Sequence, residues 1–283
     1  MSRSFLFVPG DSQRKFERAA SGDADALILD LEDSVAPDAK VAARLTVQGM
    51  LRSDSNKQLW VRINPLDTEW AQGDLEAVAG AKPFGIVLPK PRGGVDVARL
   101  ASLLDGLEMK FGGKPGSTQI LAIATETGEA MFGLGTYKDS SPRLWGLSWG
   151  AEDLAADIGT LTNRVDGRYT EPFRLARTLC VCGAAAAGVR AIDTVCVDLE
   201  NDAVVASESA EARRDGFVGK LAIHPKHIAA IHAAFTPTAA ELDFARRIVA
   251  VFDASPNTGT FRLEGKMIDR PHLRAAKRLL GLS

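Results

Sequence analysis

The sequence predicts an α/β protein, a (β/α)8 TIM barrel with a C-terminal helical extension. Eight short apolar runs recur along the chain and end in polar, Gly or Pro residues, at positions 5–8, 26–31, 59–63, 85–88, 120–125, 144–149, 192–197 and 221–223. Most lack the alternation of half-exposed strands, which indicates buried parallel strands covered by helices. Eight such units in 283 residues favour a closed barrel over an open doubly wound sheet.

The segments between the runs have the periodicity of helices with one buried face, as at residues 41–51, 71–81 and 95–111. Residues 1–235 are therefore predicted to form the barrel domain, and residues 236–283 a helical or lid-like extension that packs on its own or a neighbouring subunit. The extension is expected to hold a helix at 239–252, a Pro/Asn/Gly-marked loop at 255–259 and a short helix from about Pro271.

The composition argues against several functional classes. Lys and Arg total 34 against 36 Asp and Glu, for a formal net charge of −2, so a nucleic acid or an anionic membrane is not an expected partner. The first apolar run is too short for a signal sequence, and no run approaches a membrane span. A cytoplasmic protein is expected. The three cysteines are too few and too closely grouped for a disulfide framework.

Ionisable residues follow most of the predicted strands. Active sites of such barrels lie at the C-terminal ends of the strands, where this chain carries Asp30, Glu32, Asp33, Arg62, Lys90, Glu126, Asp153 and His224. Charged groups that converge on one mouth predict a site for an anionic, metal-assisted substrate.

Two of these carboxylates are candidate metal ligands. Glu126 directly follows the fifth run. Asp153 lies shortly after the sixth run, which ends at Trp149 and is followed by Gly150. Hard carboxylates with no cysteine and one strand-end histidine favour Mg²⁺ over zinc. The alternative is that both carboxylates cap the helices that follow them.

The other strand-end residues are candidate substrate ligands. Arg62 is flanked by apolar residues, and its planar fork suits a carboxylate. It could also form a buried ion pair with Asp30 or Glu32, and both roles can hold together. Lys90 could bind a phosphate or carboxylate or be a surface charge, and His224 could touch substrate or be structural.

The first βα loop is a candidate anion site. Pro9 and Gly10 open it, Ser12 is a plausible N-cap, and Arg14 lies in the first helical turn. Neither GxGxxG nor GxxxxGK[ST] occurs, so nothing favours a dinucleotide or a nucleoside triphosphate. A phosphate-bearing acyl carrier such as coenzyme A is compatible with this loop.

Several ordered motifs resemble the CitE-like branch of the HpcH/HpaI aldolase and citrate lyase β-subunit superfamily, close to malyl-CoA and citramalyl-CoA lyases. The resemblance covers nearly the whole chain, and its matching stretches lie at residues 4–10, 29–35, 61–64, 88–90, 125–127, 150–154, 219–225 and 265–271. The motifs are specific to the family and much less specific to a substrate.

The resemblance implies a (β/α)8 barrel that binds Mg²⁺ through Glu126 and Asp153, with Arg62 near the reacting carbonyl. Glu32, a carboxylate of the same mouth, is a further catalytic candidate. It also implies a homotrimer or hexamer in which the extension closes a neighbour's site and brings Asp269 as a candidate acid/base. Without the family, Asp269 reads as a helix cap before Pro271.

The implied activity is Mg²⁺-dependent cleavage of a 3-hydroxyacyl-CoA of the citryl, malyl or citramalyl type to an acyl-CoA and a 2-oxo acid. A related condensing enzyme, a thioesterase and a 2-oxo acid aldolase stay open, as does a binding protein without turnover. A citrate lyase complex would add an acyl-carrier partner.

Overall fold

The computed structural model describes residues 2–255 and 258–282, which form two compact units, Met1–Phe235 and Thr236–Ser283. Two residues of the predicted loop at 255–259, Pro256 and Asn257, lie outside the described residues. Within the described ranges, no helix combines the length and apolar character that a membrane span requires.

The strands in chain order are β1 Ser4–Pro9, β2 Ala26–Asp30, β3 Gln58–Arg62, β4 Gly85–Leu88, β5 Gln119–Ile123, β6 Leu144–Ser148, β7 Arg164–Val165, β8 Arg168–Tyr169, β9 Arg190–Asp193, β10 Gly219–Ala222, β11 Thr260–Leu263 and β12 Lys266–Asp269. Eight of them close a parallel barrel in the order β1-β10-β9-β6-β5-β4-β3-β2. The predicted TIM barrel is confirmed. The two antiparallel hairpins, β7–β8 and β11–β12, were not predicted.

The helices in chain order are α1 Gln13–Ala20, α2 Lys40–Leu51, α3 Trp70–Ala79, α4 Gly94–Lys110, α5 Gly128–Gly133, α6 Glu152–Asp157, α7 Glu171–Ala187, α8 Asp202–Asp215, α9 Ile228–Phe235, α10 Ala239–Ala254 and α11 Arg270–Leu279. Helices α2, α3 and α4 lie within two residues of their predicted bounds. Their apolar faces are buried in the large core cluster that also includes outward-facing strand residues such as Leu27 and Val61.

The bounds predicted for the seventh run were wrong. The run at 192–197 continues past the end of β9, which stops at Asp193. Val195 still packs on the barrel interior and Cys196 is buried. Their burial therefore gives this segment the apolar character of a strand after the backbone has left the sheet.

Aromatic residues fill the interior of the barrel. Phe5 and Trp60 are fully buried, and the Trp60 ring lies 5.2 Å from that of Trp145 and 5.0 Å from that of Phe84. Gly85 is required beside them, because a Cβ there would clash with the Trp60 ring. Trp60 precedes Arg62 by two residues on β3, so this aromatic layer lies about 7 Å below Arg62 along the strand. It forms a floor under the mouth.

The second unit has a core of its own. Residues of α10, β12 and α11 pack together, namely Ala245, Ile248, Phe252, Ile268, Leu273 and Ala276. Both of its helices begin with capping boxes, in which Thr238 pairs with Glu241 and Asp269 pairs with His272. Such caps satisfy orphan amides of the first helical turn.

Candidate metal and substrate site

The C-terminal ends of strands β2 to β6 bring six buried or half-buried charged side chains into one connected cluster at the barrel mouth, and the exposed Asp33 lies at its edge, 3.6 Å from Arg62 Nη1. The members are Asp30, Glu32, Arg62, Lys90, Glu126 and Asp153, linked by the hydrogen bonds and ion pairs described below. This set contains four carboxylates and two cations, so the mouth carries excess negative charge.

Arg62 is held rigidly by its neighbours. Its Nε and Nη2 donate to the two oxygens of Asp30 at 2.7 and 2.8 Å, and its Nη1 lies 3.0 Å from Glu32 Oε2. The guanidinium also lies 4.7 Å from the centre of the Phe7 ring. Burial by itself would raise the pKa of the Asp30 carboxyl, but the Arg62 charge holds that pKa below its ordinary value. The buried ion pair considered for Arg62 is present with both acids.

Lys90 contacts three carboxylates. Its ammonium lies 2.6 Å from Glu32 Oε1 and 2.9 Å from Asp153 Oδ1, and its backbone N–H donates to Glu126 Oε2 at 2.6 Å. Its φ of 50° lies in the left-handed region, which costs a non-glycine residue on the order of 1–3 kcal/mol. Burial opposes the charged form, yet Glu126 and Glu32 raise the pKa of Lys90 above its ordinary value. Lys90 is therefore not a free surface charge.

Glu126 does not cap the helix that follows it. That function belongs to Thr127, whose Oγ1 accepts from the N–H of Ala130 at 3.1 Å. Glu126 is 2% exposed, and burial together with the charge of Glu32 raises the pKa of Glu126 well above its ordinary value. Burial likewise raises the pKa of Glu32. A cation bound here would relieve this crowding of carboxylates.

Asp153 lies in the first turn of α6 and pairs with Lys90. With Glu126 it offers two hard oxygen donors, which fits Mg²⁺, because that ion commonly takes one or two protein carboxylates and completes its shell with water and substrate oxygens. Over residues 2–255 and 258–282, no group of three or more His, Cys, Asp or Glu side chains could hold a metal ion. An all-protein metal cage is thus not found in the described chain.

Gly150 gives Glu126 its space. A Cβ on Gly150 would lie 2.7 Å from Glu126 Cγ, and the Gly150 N–H donates to Thr125 Oγ1 at 3.1 Å. We expect Gly150→Ala to displace the Glu126 carboxylate and weaken Mg²⁺ binding about 10- to 100-fold, the usual effect of disturbing the surroundings of a metal ligand. Isothermal titration with MgCl₂ measures this.

The matched control for that variant is Gly49→Ala in α2, where a Cβ meets nothing within 4 Å. It should keep wild-type Mg²⁺ affinity and melt at or slightly above the wild-type temperature, since alanine is the better helix former. Wild-type affinity in Gly150→Ala would contradict the role given to Gly150.

The first βα loop packs against the end of β2. The Gly10 N–H donates to the Asp30 carbonyl oxygen at 2.8 Å, and a Cβ on Gly10 would lie 2.5 Å from that oxygen, so glycine is required. Ser12 occupies the N-cap position of α1, but its side chain accepts no capping bond. Ser12 has a ψ of 89°, whereas Thr127, which does cap its helix, has an extended backbone. Arg14 is exposed on the first turn of α1, and Pro9 ends β1.

The two remaining candidates have local structural partners. His224 follows β10, and its Nδ1 accepts from the Lys226 N–H at 3.2 Å, which caps a short 3₁₀ turn. Asp269 caps α11, and its Oδ1 lies 2.5 Å from His272 Nδ1. That hydrogen bond lowers the pKa of Asp269. The structural alternatives for both residues are therefore present, and their catalytic or binding roles stay predictions.

Two positioning residues were missed by the sequence reasoning. Lys40 donates to the carbonyl oxygens of Leu31 and Glu32 at 2.9 and 2.8 Å. Asp74 accepts from the backbone and side-chain nitrogens of Asn64 at 2.9 and 2.7 Å. These contacts fix the loops after β2 and β3. For Asp74 the sequence did contain an indication, because this acid lies within the apolar face of α3, beside Ala71 and Leu75.

Comparison with known proteins agrees with this geometry. The family model described as HpcH/HpaI aldolase/citrate lyase matches residues 3–225, and a model described as a carbon–carbon bond lyase of the TIM-barrel fold matches residues 172–283. The chain is 36% identical to the citrate lyase subunit beta of Escherichia coli K12 over 98% of this chain and 92% of that protein. It is 33% identical to a (3S)-malyl-CoA thioesterase of Cereibacter sphaeroides, over 98% and 93%.

Solved structures give the same result. The protein CitE from Mycobacterium tuberculosis, in complex with magnesium, acetoacetate and coenzyme A, superposes with a TM-score of 0.82 at 31% identity, covering 99% of this chain and 97% of that one. The citrate lyase beta subunit of the same organism, complexed with oxaloacetate and magnesium, has a TM-score of 0.73 at 31% identity, covering 83% and 97%. The resemblance and the enzyme class inferred from the motifs are confirmed: the chain belongs to the HpcH/HpaI aldolase/citrate lyase family of carbon–carbon lyases.

Proposed function

We propose that this enzyme is a Mg²⁺-dependent lyase that cleaves a 3-hydroxyacyl-CoA of the citryl, malyl or citramalyl type into an acyl-CoA and a 2-oxo acid. The observation that carries the proposal is the mouth cluster, in which four carboxylates are paired with two cations, Arg62 and Lys90. Its excess of two negative charges suits a divalent cation. Relatives solved with magnesium and with coenzyme A or oxaloacetate support the same assignment.

Glu126 and Asp153 would hold the metal. When bound, Mg²⁺ would supply Lewis-acid stabilisation of negative charge on the hydroxyl, carboxylate and forming keto oxygens of the substrate. Glu126 needs no rearrangement for this role, because Lys90 and Gly150 already fix its carboxylate.

Arg62 would stabilise the thioester enolate. Its guanidinium has five N–H donors, of which three are directed at Asp30 and Glu32. The paired contact with Asp30 holds the guanidinium in place, so no reorganisation is needed when charge develops on the substrate oxygen. Breaking the carbon–carbon bond leaves its electron pair on the acyl-CoA carbon and converts the carbinol carbon into the carbonyl carbon of the 2-oxo acid.

Two carboxylates are proposed for proton transfer. The substrate hydroxyl must lose a proton and the enolate carbon must gain one. Glu32 lies in the mouth with a raised pKa, which makes it the stronger base. Asp269 would be brought by the extension of a neighbouring subunit in a homotrimer or hexamer.

Coenzyme A would approach over the first βα loop. Pro9 and Gly10 form its rim and Arg14 supplies an exposed cation beside it, while His224 follows β10 at the same end of the barrel. An acyl-carrier protein would use the same entrance if the chain works in a citrate lyase complex. These binding roles are part of the proposal.

Thioester hydrolysis is the second candidate, because Cereibacter sphaeroides relatives at 33% identity are (3S)-malyl-CoA thioesterases. A panel of malyl-, citramalyl- and citryl-CoA with Mg²⁺ separates the two. A lyase releases a 2-oxo acid and one equivalent of intact acyl-CoA thioester, whereas a thioesterase releases free coenzyme A thiol and the hydroxy acid. Binding of all three substrates without turnover would contradict both.

A further inference from the structure

Lys90 links two acids of the mouth that lie on different strand ends, Glu32 and Asp153. Its ammonium lies 2.6 Å from Glu32 Oε1 on one side and 2.9 Å from Asp153 Oδ1 on the other. Arg62, in contrast, directs its donors at Asp30 and Glu32. Lys90 is therefore the cation placed directly on a proposed metal ligand.

The backbone of Lys90 is fixed independently of its side chain. Pro89 and Pro91 flank the residue and are both buried, so the chain is packed on either side of it. The Lys90 N–H donates to Glu126 Oε2 at 2.6 Å. Replacing the side chain should therefore leave the backbone contact to Glu126 in place.

Lys90 and a metal ion would share the Asp153 carboxylate. A Mg²⁺ ion lies about 2.0–2.1 Å from each ligand oxygen, and the Lys90 ammonium lies 2.9 Å from Asp153 Oδ1. Two cations on one carboxylate repel each other strongly in a partly buried site. The Asp153 side chain is 32% exposed and that of Lys90 27% exposed, so either can turn without unpacking the core.

We propose that Lys90 is a competing cation whose ammonium leaves Asp153 when Mg²⁺ binds, an inference that rests on the magnesium site of the proposed function. Glu32 keeps the released ammonium beside the site, where it becomes a partner for the carboxylate of an anionic substrate. Lys90 thus weakens the binding of Mg²⁺ alone and makes Mg²⁺ and the 2-oxo acid bind cooperatively.

Isothermal titration of the full chain with MgCl₂ at pH 8 tests this with Lys90→Met, which keeps length and removes the charge. The expected result is Mg²⁺ binding on the order of 10-fold tighter than in the wild type, because one like charge has been removed at contact distance. Unchanged or weaker binding would overturn the proposal, since a purely structural lysine would hold Asp153 in place. Lys90→Gln serves if Lys90→Met does not fold.

The second arm repeats the titration with saturating pyruvate. By linkage, the factor by which pyruvate tightens Mg²⁺ equals the factor by which Mg²⁺ tightens pyruvate. That factor should be at least several-fold smaller in Lys90→Met than in the wild type, and equal factors would contradict the cooperative part. Lys114→Met removes an exposed lysine ahead of β5, at the opposite end of the barrel, and should match the wild type in both arms.

Asp153→Asn keeps this test separate from that of the proposed function. Wild-type Mg²⁺ affinity in Asp153→Asn would contradict the metal site itself. Loss of Mg²⁺ binding in Asp153→Asn, together with wild-type affinity in Lys90→Met, would contradict only the competition.

Discussion

Glu126→Gln should lower kcat for carbon–carbon bond cleavage about 10³-fold or more and remove measurable Mg²⁺ binding, and Asp153→Asn should do the same. Each change keeps the shape of the side chain while deleting the negative charge that a hard cation requires. Loss of metal stabilisation worth about 4 kcal/mol corresponds to this reduction in rate. A Mg²⁺ titration of kcat and direct calorimetry measure the two effects.

The control for these variants is Glu129→Gln, which changes an exposed acid in the next helix, α5. It should keep wild-type kcat and Mg²⁺ affinity. Full activity in either Glu126→Gln or Asp153→Asn would refute the metal assignment, whatever the substrate.

Arg62→Lys is expected to reduce kcat/KM about 10²–10³-fold, the loss typical of removing a charge-stabilising donor from an active site. Lysine keeps the positive charge beside Asp30 and Glu32 but cannot make the paired Nε and Nη2 contacts to Asp30. The fold should survive for that reason. Arg62→Met, in contrast, would leave the buried Asp30 without its cation and cost about 3–5 kcal/mol of stability.

Steady-state kinetics and thermal unfolding of both variants separate catalysis from stability. Arg3→Lys is the matched control, because Arg3 makes the same kind of paired contact to Asp25, with Nε and Nη2 each 3.2 Å from an Asp25 oxygen. That pair lies at the N-terminal end of β1, away from the mouth. Arg62→Lys with wild-type kcat/KM would exclude Arg62 from transition-state stabilisation.

The barrel was predictable because its strands are buried on both faces and appear as continuous apolar runs. The same property misled at Val195 and Cys196, which are buried without belonging to a strand. The hairpins β7–β8 and β11–β12 escaped prediction, since their strands of two and four residues are largely exposed and carry no apolar run.

The charged members of the mouth were predictable because parallel strands end at one face of a barrel. Their partnerships were not all predictable. The backbone contact from Lys90 to Glu126 spans 36 residues, and that from its ammonium to Glu32 spans 58. Contacts over such separations depend on strand register and on the left-handed backbone of Lys90, which a single sequence does not record. The anchoring roles of Lys40 and Asp74 were missed for the same reason.

The aromatic floor beneath the mouth closes the interior of the barrel, so the site is open at one end. Phe5 and Trp60 are fully buried within it, so the packed interior offers a product no exit through the far end. An acyl-CoA substrate that enters with its acyl end first would place the 2-oxo acid product on the metal side, deeper in the mouth than the acyl-CoA product. For the proposed lyase we therefore expect the acyl-CoA to leave first and the 2-oxo acid after it, and we expect the reverse condensation to load them in the opposite order. The packing of the barrel interior would thereby set the order in which the two products leave the mouth.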